Sequence, residues 1–180
     1  MLTSAGALTA FTYISPFLTS VGGVPPGALG AVLLVRGVAG LIAVLVAGRT
    51  VDRFPRETVL GALGVHAVGL LVQGLAGPVP PLATVGGVLT GAGFAAFSAA
   101  LGARVLAVAP GSVDVASAGT STAFNVGISS GAFIGGAALT VVGLGGVPLI
   151  GLAFSAVGLA VAAAASRGRR SPRPAPVSPG

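Results

Sequence analysis

Long apolar stretches alternate with short clusters of charge along this chain. Residues 58–103 and 115–166 contain no Asp, Glu, Lys or Arg, and residues 1–48 contain only Arg36. A bilayer core of roughly 30 Å needs about 20 helical residues to cross it. Each of the three stretches is therefore long enough for two membrane-spanning helices and the turn between them.

Segments rich in glycine and proline interrupt each stretch near its middle, where a turn between two helices is expected. They are residues 22–27, 77–81 and 143–148. We predict six spans joined as three hairpins, with two connections of about ten to fifteen residues between the hairpins. The predicted spans are 3–21, 28–47, 58–76, 82–102, 116–141 and 147–165.

The composition supports a membrane protein over a soluble domain. The chain is 54% apolar and 7% charged, which leaves too little polar surface for a globular protein in water. Open sheets would leave backbone groups unpaired in lipid, and the alternating ten-residue segments of a membrane barrel are absent. The predicted fold class is all-α, with a six-helix transmembrane bundle in residues 1–165 and a disordered, basic cytoplasmic tail in residues 166–180.

The arginines predict the orientation of the spans. All nine basic residues are arginines, and apart from Arg36 they lie between the hairpins or in the tail. The three Gly/Pro turns contain none, so the positive-inside rule places both termini on the cytoplasmic side of the cell inner membrane. Since topology explains the net charge of +6, we do not expect nucleic-acid binding.

The chain offers few groups for chemistry, so we expect neither an enzyme nor a cofactor. Its acids, Asp52, Glu57 and Asp114, all lie at cytoplasmic ends of spans, and one histidine without cysteine cannot build a metal site. His66, in the third span, is either a histidine satisfied by an interhelical hydrogen bond or part of a proton relay. Gln73 lies in the same span.

A charged motif follows the second span, in Gly48-Arg49-Thr50-Val51-Asp52-Arg53-Phe54-Pro55-Arg56. Such a cluster can latch two helix ends together in one conformation and release them in another. We expect Gly48 to allow close backbone approach and Asp52 to pair with arginine or to cap the next helix. The alternative is an ordinary positive-inside loop.

The fifth span carries two opposed stripes. Ser121, Asn125 and Ser129 recur every four residues, and Gly127, Gly131 and Gly135 do the same with an offset of two. Since two residues turn a helix by about 200°, the polar stripe and the glycine stripe face nearly opposite directions. We expect the first to line an aqueous pathway and the second to pack against a neighbouring helix; for Asn125 the alternative is a hydrogen bond to another helix.

These motifs resemble the major facilitator superfamily. Gly48, Asp52, Arg53 and Arg56 match its signature loop, although Pro55 stands where a glycine is customary and Glu57 where a basic residue is. The fifth span resembles the eleventh helix of bacterial drug and sugar efflux permeases, the arabinose-efflux-like and chloramphenicol-resistance-like group. Thr12-Tyr13-Ile14-Ser15-Pro16-Phe17-Leu18 in the first span is similar to the seventh helix of that group.

The resemblance implies that the chain is the carboxy-terminal half of a twelve-helix permease, in which two six-helix bundles rock about a central site. The expected function is efflux of a small organic substrate, a drug or a sugar, by a proton- or gradient-coupled antiporter. The missing amino-terminal half, or a partner subunit, would supply the second bundle. Because Met1 falls almost at the start of a span, we expect a truncated or split gene. The alternative is a non-transporting fragment or accessory subunit that packs with a partner.

Four residues of the first two spans are further candidates for the substrate pathway. Arg36 lies near the middle of the second span, where an unpaired cation costs at least ~2.5–3.5 kcal/mol. We expect it to contact an anion or the substrate. The alternatives are that it pairs with carbonyls or with the missing half, or that it lies at another depth than the span pattern indicates. Tyr13, Ser15 and Pro16 are expected either to kink the first span beside the pathway or to form a kink used only in packing.

Overall fold

The computed structural model describes residues 2–76, 78–108 and 112–168, which are almost entirely helical and contain no strand. The all-α prediction is therefore confirmed. The elements are α1 (Leu2–Thr12), α2 (Ile14–Pro16), a π-helical turn (Phe17–Val21), α3 (Pro26–Val51), α4 (Pro55–Ala76), α5 (Pro80–Val108) and α6 (Val113–Gly168).

The first predicted span is an interrupted helix made of α1, α2 and the π-helical turn. Pro16 has no backbone N–H, so the carbonyl of Thr12, four residues earlier, loses its helical donor. α1 ends at Thr12, and the following Tyr13 has φ −104° and ψ 13°. The wider π-helical turn closes with a 2.8 Å hydrogen bond from the N–H of Gly22 to the carbonyl of Phe17. A break is thus built into the first span at its proline.

The last helix, α6, comprises two spans. Its 56 residues would measure about 84 Å at 1.5 Å per residue, nearly three times the hydrocarbon core. Gly143 has φ 66° and ψ 178°, a conformation that a residue with a side chain rarely adopts, and it interrupts the helix. We call residues 113–142 the first segment of α6 and residues 144–168 the second. They correspond to the fifth and sixth predicted spans.

The surface of the bundle is apolar. Four helices of the described chain are long and apolar enough to cross a membrane, and the longest of them contains both segments of α6. Leu34, Leu41, Phe133 and Val141 are 62–83% exposed. So much exposed hydrocarbon suits lipid and protein partners and not water. The chain is an all-α, multi-pass membrane protein.

Close helix crossings at glycines hold the bundle together. α1 meets the second segment of α6 at Gly6 and Gly151, where a Cβ on either residue would lie 2.7 to 2.8 Å from the carbonyl oxygen of the other. α4 meets α5 in the same way at Gly69 and Gly86, at 2.8 and 2.9 Å. Small residues are the usual means of close helix packing in membranes. None of these four glycines was singled out from the sequence.

Helical structure continues into the connections and the tail. α3 ends at Val51 and α4 begins at Pro55, so the predicted ten-residue connection retains only residues 52–54 outside helices. The carbonyl of Thr50 accepts the N–H of Phe54 at 2.8 Å, and the hydroxyl of Thr58 donates to that of Thr50 at 3.0 Å. α6 continues to Gly168, past the predicted boundary at 165. The rest of the predicted tail, residues 169–180, lies outside the described residues.

Candidate functional site

Arg36 lies on α3 and its side chain extends along α5. Its Nε–H donates to the carbonyl of Gly87 at 2.9 Å, and its guanidinium carbon lies 4.3 Å from the centre of the Phe11 ring. A Cβ on Gly91 would lie 2.8 Å from the Cγ and Nε of Arg36, so a larger residue there would displace this flexible side chain from its present path. One carbonyl and one aromatic face offset part of the cost of a cation at this depth. Among the described residues, no hydrogen-bond acceptor binds the two terminal nitrogens.

His66, on α4, is the second ionisable group in the interior. It is 2% exposed, and its Nδ1 lies 3.0 Å from the carbonyl oxygen of Thr90 on α5. A carbonyl only accepts hydrogen bonds, so Nδ1 carries the proton and Nε2 presents a lone pair. Nε2 is buried and has no partner in the described chain. His66 thus makes the expected kind of interhelical hydrogen bond at Nδ1, while Nε2 has no partner in the described chain.

A short piece of α5 connects Arg36 and His66. The carbonyl of Gly87 accepts both the Nε–H of Arg36 and the hydroxyl of Thr90, at 2.9 Å each, while the carbonyl of Thr90 holds His66. Arg36, His66 and Thr90 also line one small cavity of about 10 Å³. Its other lining residues are Ala7, Ala10, Phe11, Ile14 and Phe94. Helices from the first four predicted spans thus meet around two basic side chains, and we call this arrangement the Arg36–His66 cluster.

The polar stripe of the fifth span lies on the outer side of the bundle. Ser121, Asn125 and Ser129 are all exposed, and the Asn125 amide donates to the carbonyl of Ser121 in its own helix at 3.0 Å. In a membrane-spanning helix, such a face requires water or another protein surface against it.

The glycine stripe of the same span lies on the inner side, against the first span. Gly127, Gly131 and Gly135 are all buried. The hydroxyl of Thr9 donates to the carbonyl of Gly131 at 3.0 Å, and a Cβ on Gly135 would lie 2.7 Å from the Tyr13 ring.

Tyr13, Ser15 and Pro16 lie at the break in the first span. The hydroxyl of Tyr13 donates to the carbonyl of Ala132 at 3.3 Å, so this side chain contacts the helix face that bears the glycine stripe. Ser15 is half-buried, its carbonyl accepts the hydroxyl of Thr19 at 3.1 Å, and Pro16 is exposed. Within the described chain, no hydrogen bond joins Arg36 to these residues or to the polar stripe; its partners are Phe11 and Gly87.

The charged motif lies at the junction of α3 and α4. Asp52 and Arg53 are exposed, Arg56 is half-buried, and the guanidinium of Arg53 lies 5.4 Å from the centre of the Phe54 ring. In the described chain, nothing lies within 4 Å of the place that a Cβ would take at Gly48. The close backbone approach expected at Gly48 is thus not made within this bundle.

Phe11, Gly87 and Thr90 belong to the cluster and were not expected from the sequence. Thr90 follows a glycine pair in the fourth span, but a threonine within an apolar helix is too common to indicate a site. Gln73 and Ser155 are also buried, 1% and 0% exposed, and their polar side-chain atoms have no partner in the described chain. The interior is therefore more polar than the hydropathy pattern suggests.

Comparison with known proteins identifies the family. The family model for the Major Facilitator Superfamily matches residues 1–180. The chain is 31% identical over 163 residues to a "Probable sugar efflux transporter" of Mannheimia succiniciproducens, covering 88% of this chain and 40% of that protein. It is 34% identical over 154 residues to the protein of the same name in Haemophilus influenzae, covering 85% and 39%.

A third relative carries the same name. The chain is 30% identical over 159 residues to the "Probable sugar efflux transporter" of Helicobacter acinonychis, covering 88% of this chain and 41% of that protein. The chain thus spans about two fifths of the length of the curated relatives that it matches. The family consists of transporters and not enzymes. On the extent of these matches, and on a fold made of membrane-spanning helices, the chain belongs to the Major Facilitator Superfamily.

Proposed function

We propose that this chain is the carboxy-terminal half of a secondary efflux transporter that moves a small organic molecule, with a sugar as the first candidate. The observation that carries this proposal is Arg36, a fixed cation near the middle of a membrane span. Its Nε–H donates a hydrogen bond to the Gly87 carbonyl, while its terminal nitrogens bind no acceptor in the described chain. Ionisable groups at such a depth are a hypothesis for a transport site by default.

The chemistry of Arg36 suits a hydroxylated substrate. The two terminal NH₂ groups of a guanidinium are hydrogen-bond donors held in one plane, and neighbouring sugar hydroxyls can accept from both. The hydrogen bond from Nε to Gly87 and the contact with the Phe11 ring orient the guanidinium before substrate arrives. This preorganisation lowers the conformational entropy that is lost when substrate binds. The names of the three relatives support sugar as the substrate class, and a drug of similar polarity is the alternative.

A second six-helix half would complete the pathway. The polar stripe of Ser121, Asn125 and Ser129 is exposed on this bundle, and a polar face in the membrane is stable only against water or a partner. We propose that the second half, in the same polypeptide or in a separate subunit, covers this face and encloses an aqueous cavity. Rocking of the two halves would then expose the cavity to each side in turn.

The same proposal assigns the cytoplasmic ends and the location. The exposed Asp52 and Arg53 at the junction of α3 and α4 would contact the other half in one conformation and separate from it in the other. The bundle would lie in the bacterial inner membrane with both termini in the cytoplasm.

The test is to join the chain to a candidate amino-terminal half, taken from the neighbouring coding sequence or from a relative, and to measure export. Cells expressing the pair are expected to accumulate less of at least one radiolabelled sugar than cells expressing either half alone. Arg36→Ala should lower the export rate about tenfold or more, the effect of losing one charge-assisted contact of about 1.4 kcal/mol or more. Arg104→Ala is the matched control, because Arg104 lies near the carboxy-terminal end of α5, outside both the charged motif and the Arg36–His66 cluster.

Unchanged export in Arg36→Ala would remove Arg36 from the mechanism. A correctly inserted pair that exports nothing from a broad panel of sugars and drugs would contradict the transporter proposal. If that pair still co-purified, the chain would instead be an accessory subunit that packs against a partner.

A further inference from the structure

The interior of this bundle contains one basic group that the proposed pathway does not use. We propose that Nε2 of His66 is a proton-binding site, and that its protonation breaks the hydrogen bond from Nε of Arg36 to the carbonyl of Gly87. The proposal deepens the proposed function, because it assigns a coupling proton to the same bundle that holds the substrate cation.

The first support is the hydrogen bonding of His66. Its Nδ1–H is held by the Thr90 carbonyl at 3.0 Å, which orients the ring and leaves Nε2 as the basic atom. That atom is buried and unpartnered in the described chain, at a side chain 2% exposed. A buried acceptor without a donor is unfavourable, and proton uptake converts it into a donor.

The second support is the size of the space beside His66. The cavity that His66 and Arg36 line measures about 10 Å³, close to the lower limit for one water molecule. A sugar cannot enter it, whereas a proton carried by a single water can. The ligand class that fits the cavity is therefore the proton itself, and the substrate remains on the pathway side of Arg36.

The third support is the charge of the surroundings. Arg36 is the charged group that faces this cavity, and the lining from α1, α2 and α5 consists of apolar residues and Thr90. The first span has no charged side chain, and its one ionisable side chain is Tyr13, whose hydroxyl donates to the carbonyl of Ala132 on α6. α6 has no ionisable residue between Asp114 and Arg167. The remaining charges of α3, α4 and α5, namely Arg49, Arg56, Glu57 and Arg104, lie near the cytoplasmic ends of those helices.

An imidazolium at His66 would therefore face a guanidinium with no acid between them. Two cations that line the same small cavity in a low-dielectric interior repel each other. Arg36 is the side chain expected to move, because it is long and its terminal nitrogens bind no acceptor in the described chain, whereas the His66 ring is 2% exposed and packed in the interior. Proton binding is expected to displace it from Gly87.

The consequence is competition between proton and substrate. A neutral sugar brings no charge to offset the repulsion, and it binds best to an Arg36 that is already held in place. Protonated His66 disturbs that arrangement, so proton and sugar disfavour each other reciprocally. Mutual exclusion of this kind is what exchange of one proton for one substrate requires.

The test uses the single histidine of the chain, whose imidazole nitrogens can be observed by NMR without ambiguity after ¹⁵N-histidine labelling. The full chain in lipid nanodiscs, without any substrate, should show Nδ1 protonated and Nε2 unprotonated at alkaline pH. Acidification should convert Nε2 to its protonated form. A ring that carries its proton on Nε2 at alkaline pH, or stays neutral throughout acidification, would overturn the proposal.

The link to Arg36 is tested by three variants in the same measurement. In Arg36→Gln, the His66 imidazolium should persist to a pH about one unit or more higher than in the wild type. One unit is a tenfold gain in proton affinity. Arg36→Lys keeps the charge and should titrate like the wild type, and Arg49→Gln should leave the titration unchanged. An unaltered Nδ1–H signal in each variant shows that the Thr90 contact is intact.

Equal titration of wild type and Arg36→Gln would overturn the coupling. These results do not depend on transport, so the proton site and the efflux proposal fail separately. If export is established, its rate should fall when the side of the membrane from which substrate binds is acidified. His66→Gln should remove this dependence of the export rate on pH. An export rate that rises under the same acidification, and no longer does so in His66→Gln, would contradict competition between proton and substrate.

Discussion

One hydroxyl illustrates how single polar atoms act in this bundle. Thr9 is 0% exposed, and its hydroxyl donates to the carbonyl of Gly131 across the contact between the first span and the first segment of α6. Hydrogen bonds between helices in membranes average about 0.6 kcal/mol and reach about 1.7 kcal/mol. The contact is therefore expected to make a measurable contribution to the free energy of unfolding, but not one large enough to determine alone whether the chain folds.

Thr9→Val should lower the free energy of unfolding by about 0.6–1.7 kcal/mol, because valine preserves the shape and removes the donor. The measurement is reversible unfolding in mixed micelles. Thr122→Val is the control, since the hydroxyl of the exposed Thr122 donates to the carbonyl of Ala118 in its own helix and to no other helix of the described chain. Equal losses in the two variants would show that the contact between helices adds nothing.

The pairing of α4 with α5 depends on backbone contact. At Gly69, a Cβ would lie 2.6 Å from the Thr90 nitrogen and 2.8 Å from the Gly86 oxygen, and both are backbone atoms that cannot rotate away. The same crossing brings Thr90 within reach of His66. Any change that separates these two helices is expected to disturb the Arg36–His66 cluster as well.

Gly69→Ala should therefore destabilise the bundle by about 1–3 kcal/mol, the usual cost of an overpacked core. It should also shift the His66 nitrogen signals, because the helix crossing and the Thr90 contact move together. Gly64→Ala, in the same helix, meets nothing within 4 Å and should be neutral. A Gly69→Ala protein as stable as Gly64→Ala would mean that α4 and α5 adjust without strain.

The molecule as a whole has a charge asymmetry that predicts how it inserts. The arginine-bearing connections and the Gly/Pro turns alternate along the six spans, so they must lie on opposite sides of the bilayer. Ser112 lies beside one arginine-bearing connection and Pro78 in a Gly/Pro turn, and both are exposed. The natural chain has no cysteine, so an introduced one is a unique reporter.

Pro78→Cys should react with a membrane-impermeant maleimide in intact cells, whereas Ser112→Cys should react only after the membrane is permeabilised. The reason is the cost of moving arginine-rich segments across the membrane during insertion. Labelling of both cysteines in intact cells would contradict a single orientation. Labelling of Ser112→Cys alone would invert it.

The six spans and the all-α class were predictable from the sequence because each depends on a local quantity. A window of about 20 apolar residues identifies a span wherever the chain places it, and proline or glycine marks its ends. Gly143 separates the fifth span from the sixth as this rule predicts, and Pro16 interrupts the first span within its length. The separation of the fifth span's polar and glycine faces follows from helix geometry alone in the same way.

The Arg36–His66 cluster was not predictable in this way. Its partners lie 24 and 51 residues apart in the chain, and their contact depends on the depth and rotation of α3, α4 and α5. Those are set in part by the crossing at Gly69 and Gly86, where the backbones of α4 and α5 touch, while Gly91 leaves room for the Arg36 side chain. Hydropathy carries no information on how one helix packs against another. The local pattern was therefore sufficient to predict the spans, whereas the cluster depends on the packing of the helices.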